Sequence, residues 1–180
     1  MRKMRSWTGA LAATGLVLSG AIAGALAPGT VLAGPGTTAV AGNVACAPVA
    51  ISVRKGRLEG AAGSRFQTVR VTNTSGQACA VPGWTRYRFA NAGGPLGFRS
   101  KRNPGYDPNA EPVVIEAGDT ARSVLSWASP GVVPRNECHP RRATRVRVSI
   151  EDLPGHYVLP MDVRVCTTRS FRPRGTRISN

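Results

Sequence analysis

Apolar and polar residues alternate in short runs along most of this chain, as they do in strands with one buried face. The clearest run is Thr144–Ile150, where Val146, Val148 and Ile150 point one way and Arg145, Arg147 and Ser149 the other. Arg65–Thr72 sets Val69 and Val71 against Thr68, Arg70 and Thr72. Ala78–Phe89 is broken at Pro82-Gly83, and its second half alternates Trp84, Arg86 and Arg88 with Thr85, Tyr87 and Phe89. Further runs start at Ala50 and Leu96, cover Val113–Ile115 and Thr120–Ala128, and close with Val158–Thr168. Between them stand turn formers, among them Gly60-Ala61-Ala62-Gly63, Asn73-Thr74-Ser75-Gly76 and Asn91–Gly94. Lys101–Pro112 and Pro130–Pro140 carry several prolines and read as irregular connections. After residue 33 no segment holds a 3.6-residue apolar period over the length of a helix, so no long helix is predicted. Seven or so strands in about 120 residues predict an all-β fold, an immunoglobulin-like antiparallel β-sandwich, over residues 46–168.

The first 33 residues follow another pattern. Arg2, Lys3 and Arg5 precede a nearly uncharged run from Gly9 to Ala27, which closes on Val31-Leu32-Ala33. That is the layout of a cleaved signal peptide over 1–33. A retained membrane anchor is the rival reading, but the run is rich in Gly and Ala and has no cationic stop-transfer flank. The expected mature protein is therefore secreted, with no transmembrane helix after cleavage. Residues 34–45 form a Gly/Ala/Thr-rich leader, and residues 169–180 a basic C-terminal tail expected to be flexible. Asn43-Val44-Ala45 before Cys46 is no lipobox, which speaks for a disulfide at Cys46 rather than a lipid.

Export makes the four cysteines read as two disulfides. Their spacings of 33, 59 and 28 residues match no paired metal or redox motif, which disfavours a four-thiolate zinc site. The strand layout selects the pairing. If the first two strands form an antiparallel hairpin, Cys46 lies near Cys79. If the last two do the same, Cys138 lies near Cys166.

Charge adds a candidate surface. The chain carries 24 Lys+Arg against 9 Asp+Glu, a formal net charge of +15, and removing Arg2, Lys3 and Arg5 leaves 21 cations against the 9 acids. Arg86, Arg88, Arg145, Arg147 and Arg164 alternate with apolar residues in runs that an immunoglobulin-like arrangement gathers in one sheet. On a common outer face these five would repel one another unless acids or an anionic partner intervene, and Arg binds phosphate and carboxylate bidentately. An anionic envelope polymer or phospholipid surface is the expected partner. The competing reading is a solvated basic face, rich in Arg from genome composition, with no dedicated ligand. No dedicated nucleic-acid motif is present.

Catalytic chemistry is harder to find. His139 and His156 are the only imidazoles, and each sits in a predicted loop beside Pro or Gly, outside any hydrolase or metalloprotease motif. Asp107, Glu111, Glu116 and Asp119 bracket the long loop without the spacing of a calcium loop, and such acids commonly serve turns. No Gly-rich loop opens a helix to cradle phosphate. The chain is expected to be no enzyme, with no metal and no cofactor. Tyr87 and Trp127 suit the core, whereas Tyr106 in the Pro-rich loop is the candidate for an exposed aromatic contact.

The block Val71-Thr72-Asn73-Thr74-Ser75-Gly76 with Cys79, then Gly83-Trp84, Glu116-Ala117-Gly118, Leu125-Ser126-Trp127, Cys138 and Cys166, resembles the domain of unknown function 4232 family. That family occurs in secreted and lipid-anchored proteins of high-GC Gram-positive bacteria. The resemblance covers about Cys46 to Thr168. It implies a secreted, disulfide-bonded β-sandwich and carries over no catalytic residue. The chain departs from the family pattern in lacking a lipobox and in having Thr85 where a proline often follows the Gly-aromatic pair. The function expected is a secreted, non-catalytic module that binds an extracellular or cell-envelope macromolecule through its Arg-rich face. The alternative is a protease-inhibitor-like or other protein-recognition domain presenting a rigid loop to a secreted protein. A hydrolase is the weakest reading.

Overall fold

The computed structural model describes residues 44–180, except residues 106 and 108. The expected signal peptide, all but the last two residues of the leader, and Tyr106 therefore lie outside the described residues.

The strands pair antiparallel, except that β11 runs parallel to β6. β1 (Ile51–Ala61) and β2 (Ser64–Asn73) form a hairpin, β3 (Cys79–Val81) is short, and β4 (Thr85–Asn91) turns back through β5 (Gly94–Pro95). β6 (Lys101–Arg102), β7 (Val113–Ile115) and β8 (Thr120–Ala128) follow. A single helical turn, α1 (Arg135–Cys138), leads to β9 (Pro140–Ile150), β10 (Tyr157–Cys166) and β11 (Arg174–Gly175). One sheet has the order β1-β2-β8-β11-β6, a second β10-β9-β4-β5, and β3 pairs with β7 in a third. Among the described residues no helix is long and apolar enough to cross a membrane.

The alternation read from the sequence decides what is buried. Val69 and Leu125 of the first sheet pack with Tyr87, Phe89, Val146 and Val148 of the second in one core. There Trp127 meets Phe89 edge to face at 5.3 Å between ring centroids. A second cluster joins Ile51, Val71, Val81, Ile115 and Ile150 around the Cys46–Cys79 disulfide. The other disulfide links Cys138 to Cys166. Both bridges arise as the hairpin layout requires. β1 pairs antiparallel with β2 and β9 with β10, so each pair of cysteines flanks the open end of its hairpin.

Three segments differ from their sequence reading. The Gly60–Gly63 break is a two-residue turn inside a long hairpin. Ala62 and Gly63 both have positive φ, 44° and 75°, the geometry that matches strand twist. The run across Pro82-Gly83 is two strands that belong to different sheets. The tail expected to be flexible is instead part of the structure. β11 lies between β8 and β6, Ser179 and Arg122 exchange backbone hydrogen bonds of 2.8 and 2.7 Å, and Ile178 is fully buried. Periodicity missed this segment because Phe171 and Ile178, seven residues apart, are its two large apolar residues, and backbone pairing supplies the rest. Gly175 permits the approach, since a Cβ there would sit 2.8 Å from the Thr85 carbonyl and 2.9 Å from the Tyr87 ring.

Candidate anion-binding face

The outer face of the second sheet is set by the β4–β9–β10 register. Tyr87 and Phe89 of β4 and Val146 and Val148 of β9 turn into the core, so Arg86, Arg88, Arg145 and Arg147 turn outward. Arg88 stands directly opposite Arg147, and Arg145 opposite Ala90. Like charges placed so are destabilising unless something answers them. Each finds only partial compensation. Arg88 Nη2 donates to the Gly97 carbonyl at 3.3 Å, and Arg145 Nη2 to that of Asn91 at 2.6 Å. Arg86 pairs with Glu151 at 3.1 Å, a carboxylate that Arg102 also engages. Among the described residues no carboxylate lies within ion-pair distance of Arg88, Arg145 or Arg147. The buried Nε–H groups of all three find no acceptor.

Arg164 does not join this group. It is opposite Arg142 on β9, whereas the β10 residue facing Arg147 is Val158. Six residues of strand separate the two positions, roughly 20 Å. The sequence placed Arg164 on the correct sheet but did not fix the β9–β10 register, and the bulge between Pro160 and Val163 shifts that register by a single residue. Four of the five predicted arginines therefore share a neighbourhood, and the fifth stands at the far end of β10.

Two residues that the pattern did not single out for this face do reach it. A hollow of about 100 Å³ is lined by Arg86, Arg88, Arg147 and Ser149 together with Arg99 and His156. Arg99 arrives because the next residue latches the chain to β4. Ser100 N donates to the Tyr87 carbonyl at 2.8 Å, and Ser100 Oγ accepts from Tyr87 N at 2.9 Å. His156 comes from the β9–β10 turn, after Gly155 with φ of 86°. No local signal in the sequence marks either one, since both are brought in by loops.

The other candidates have structural surroundings. His139 closes α1 in a left-handed conformation, φ 46°, and its carbonyl accepts from Thr167 Oγ1 at 2.8 Å. It lies at the opposite end of the β9–β10 hairpin from His156, roughly 35 Å of strand away, so the two imidazoles cannot serve one reaction. Asp107 Oδ1 accepts from Asn109 N at 2.8 Å. Glu116 and Asp119 bracket the turn into β8, closed by Asp119 N donating to the Glu116 carbonyl at 3.0 Å. Among the described residues no three His, Cys, Asp or Glu side chains converge as a metal site would need. Tyr87 is buried and donates to Ser123 Oγ at 2.9 Å. Ser123 Oγ also shares a 2.7 Å hydrogen bond with Thr85 and donates to the Thr176 carbonyl at 2.9 Å. This network ties the C-terminal segment to both sheets.

The family model of a domain of unknown function, DUF4232, matches residues 46–174. The chain belongs to this family. Its match begins at the first disulfide cysteine and ends within β11, so the DUF4232 region holds both bridges and every arginine of the outward face. No curated protein and no solved structure matched the chain.

Proposed function

We propose that this DUF4232 protein is a secreted, non-catalytic module that binds an anionic macromolecule of the cell envelope through the β4–β9 face. The observation that carries the reading is the Arg88–Arg147 pair. The two are directly opposed in the ladder and share one hollow with Arg86, Arg99, Ser149 and His156. Among the described residues Glu151 is the one acid engaging that group, and it is divided between Arg86 and Arg102. A phosphate entering the hollow would meet planar guanidinium donors suited to bidentate bonding and a serine hydroxyl. It would also relieve the repulsion across the ladder. The module in this reading is immunoglobulin-like. The orders β1-β2-β8 and β10-β9-β4 follow the A-B-E and G-F-C strand orders of that fold, with β11 beside β8 where strand D would stand. Export by the 1–33 segment supports an envelope location, and the two disulfides suit an oxidising compartment.

The test uses the purified chain with phosphatidylglycerol vesicles and with cell-wall fractions. Binding is expected at low ionic strength and should weaken as salt screens exposed charges beyond about 8–10 Å. The Arg88→Gln/Arg147→Gln variant should lose most of it. Binding that ignores salt, or that the double variant retains in full, would overturn the reading.

A further inference from the structure

A second cavity, of about 660 Å³, is lined by both edge strands β1 and β10 and by the connection between β8 and α1. It shares no residue with the arginine hollow. Its volume lies in the roughly 300–1,000 Å³ range of small-molecule sites. Leu58, Trp127, Val133 and Val163 give it apolar walls, and Arg65, Arg135 and Arg164 supply cations. The one acid in the lining, Asp162, is already held by Arg142, whose Nε and Nη2 donate to its two oxygens at 2.7 and 2.6 Å. Among the described residues none of the three lining arginines has a carboxylate within ion-pair distance. The cavity thus combines apolar walls with three arginines, and the one acid that lines it is already engaged by Arg142.

The strands are shaped for it. Their ladders slip at two places, between Lys55 and Leu58 on β1 and between Pro160 and Val163 on β10, and both slips deliver lining residues. Bulges of this kind redirect side chains and gather at sheet edges and binding sites. The β1 slip is held from inside. Buried Gln67 donates from Nε2 to the carbonyls of Gly56 and Arg57 at 2.9 and 3.1 Å. The outcome is an exposed leucine, Leu58, 45% accessible, at the cavity wall.

We infer that this cavity binds an amphipathic monoanion, with its apolar body against Leu58, Trp127 and Val163 and its anionic head on Arg135 and Arg164. The inference stands on different residues from the envelope-binding face and survives if that reading fails. The shared chemistry could come from an acyl carboxylate or from the apolar C-terminus of a peptide, and the test separates them. Nitrogen-15-labelled full chain is titrated while the Trp127 indole resonance is followed, assigned with Trp127→Phe. The probes are decanoate and decyltrimethylammonium below their micelle concentrations, acetate, and an acetylated Leu-Phe dipeptide as free acid and as amide.

Decanoate or the dipeptide acid should shift the resonance saturably, and the tighter of the two identifies the source. Acetate, the cationic amphiphile and the amide should leave it unmoved. Arg135→Gln/Arg164→Gln, at two exposed positions, should weaken binding at least about tenfold, as loss of a charge-assisted hydrogen bond does. An equal response to the cationic amphiphile, full affinity in the double variant, or no shift with either acid would overturn the inference.

Discussion

Ile178, followed by Ser179 and Asn180, is fully buried in the cluster formed by Ile51, Val71, Val81, Ile115, Ile150 and the Cys46–Cys79 disulfide. Its truncation measures whether the last residues hold the domain together. Ile178→Ala removes three carbons, worth about 0.8 kcal/mol each in transfer free energy. The void left among side chains that cannot fully collapse brings the expected loss to about 3 kcal/mol. Against a typical total of roughly 5–15 kcal/mol that is a large share. In urea unfolding of the oxidised protein it should lower the midpoint by roughly 1.5 M with the slope unchanged. Ile178→Val provides a graded companion, expected to cost about 1 kcal/mol. Val158→Ala, at a position 52% exposed, should cost under about 0.5 kcal/mol. A loss for Ile178→Ala no greater than that of Val158→Ala would refute the packing of β11 and its flanking residues as a structural element.

Tyr87 predicts an alkaline limit to stability. Burial raises its pKa above the ordinary 10.0, against the smaller opposing effect of its side-chain hydrogen bonding with Ser123 and Thr85. As pH climbs past 10 the unfolded chain releases this proton and the folded one keeps it, so stability should fall with rising pH. Tyr87→Phe should flatten that fall in urea midpoints measured across alkaline pH, leaving the smaller contribution of partly buried Tyr157, also raised by burial. An unchanged slope would count against the assignment. The disulfides close spans of 33 and 28 residues. Replacing either pair by alanine should cost roughly 3.5 kcal/mol by loop entropy, read from the same unfolding curves. A loss near zero for either pair would mean that the unfolded chain is already constrained there.

Much of this protein is legible in one dimension because strands write their burial into alternate residues. Thr144–Ile150 shows which side chains enter the core and which face out, and the structure places Val146, Val148 and Ile150 inside. Hairpin order also sufficed to pair the cysteines, since two adjacent antiparallel strands leave few partners within reach. The sequence determined the residue types on the β4–β9 face as well, for outward positions follow from inward ones.

Tertiary structure alone decided where that face ends. Register is a relation between strands, and the β9–β10 pairing, with Val158 facing Arg147, sets Arg164 beside a different cavity from Arg147. Arg99 and His156 join the hollow through loops whose paths depend on contacts distant in sequence, such as Ser100 with Tyr87. The last seven residues carry too little apolar content to announce a strand. They are ordered by backbone hydrogen bonds to β8 and by the space that Gly175 leaves beside Tyr87. Alternation within a strand is local and survives in the sequence, whereas register, loop paths and backbone pairing exist only once the sheets meet.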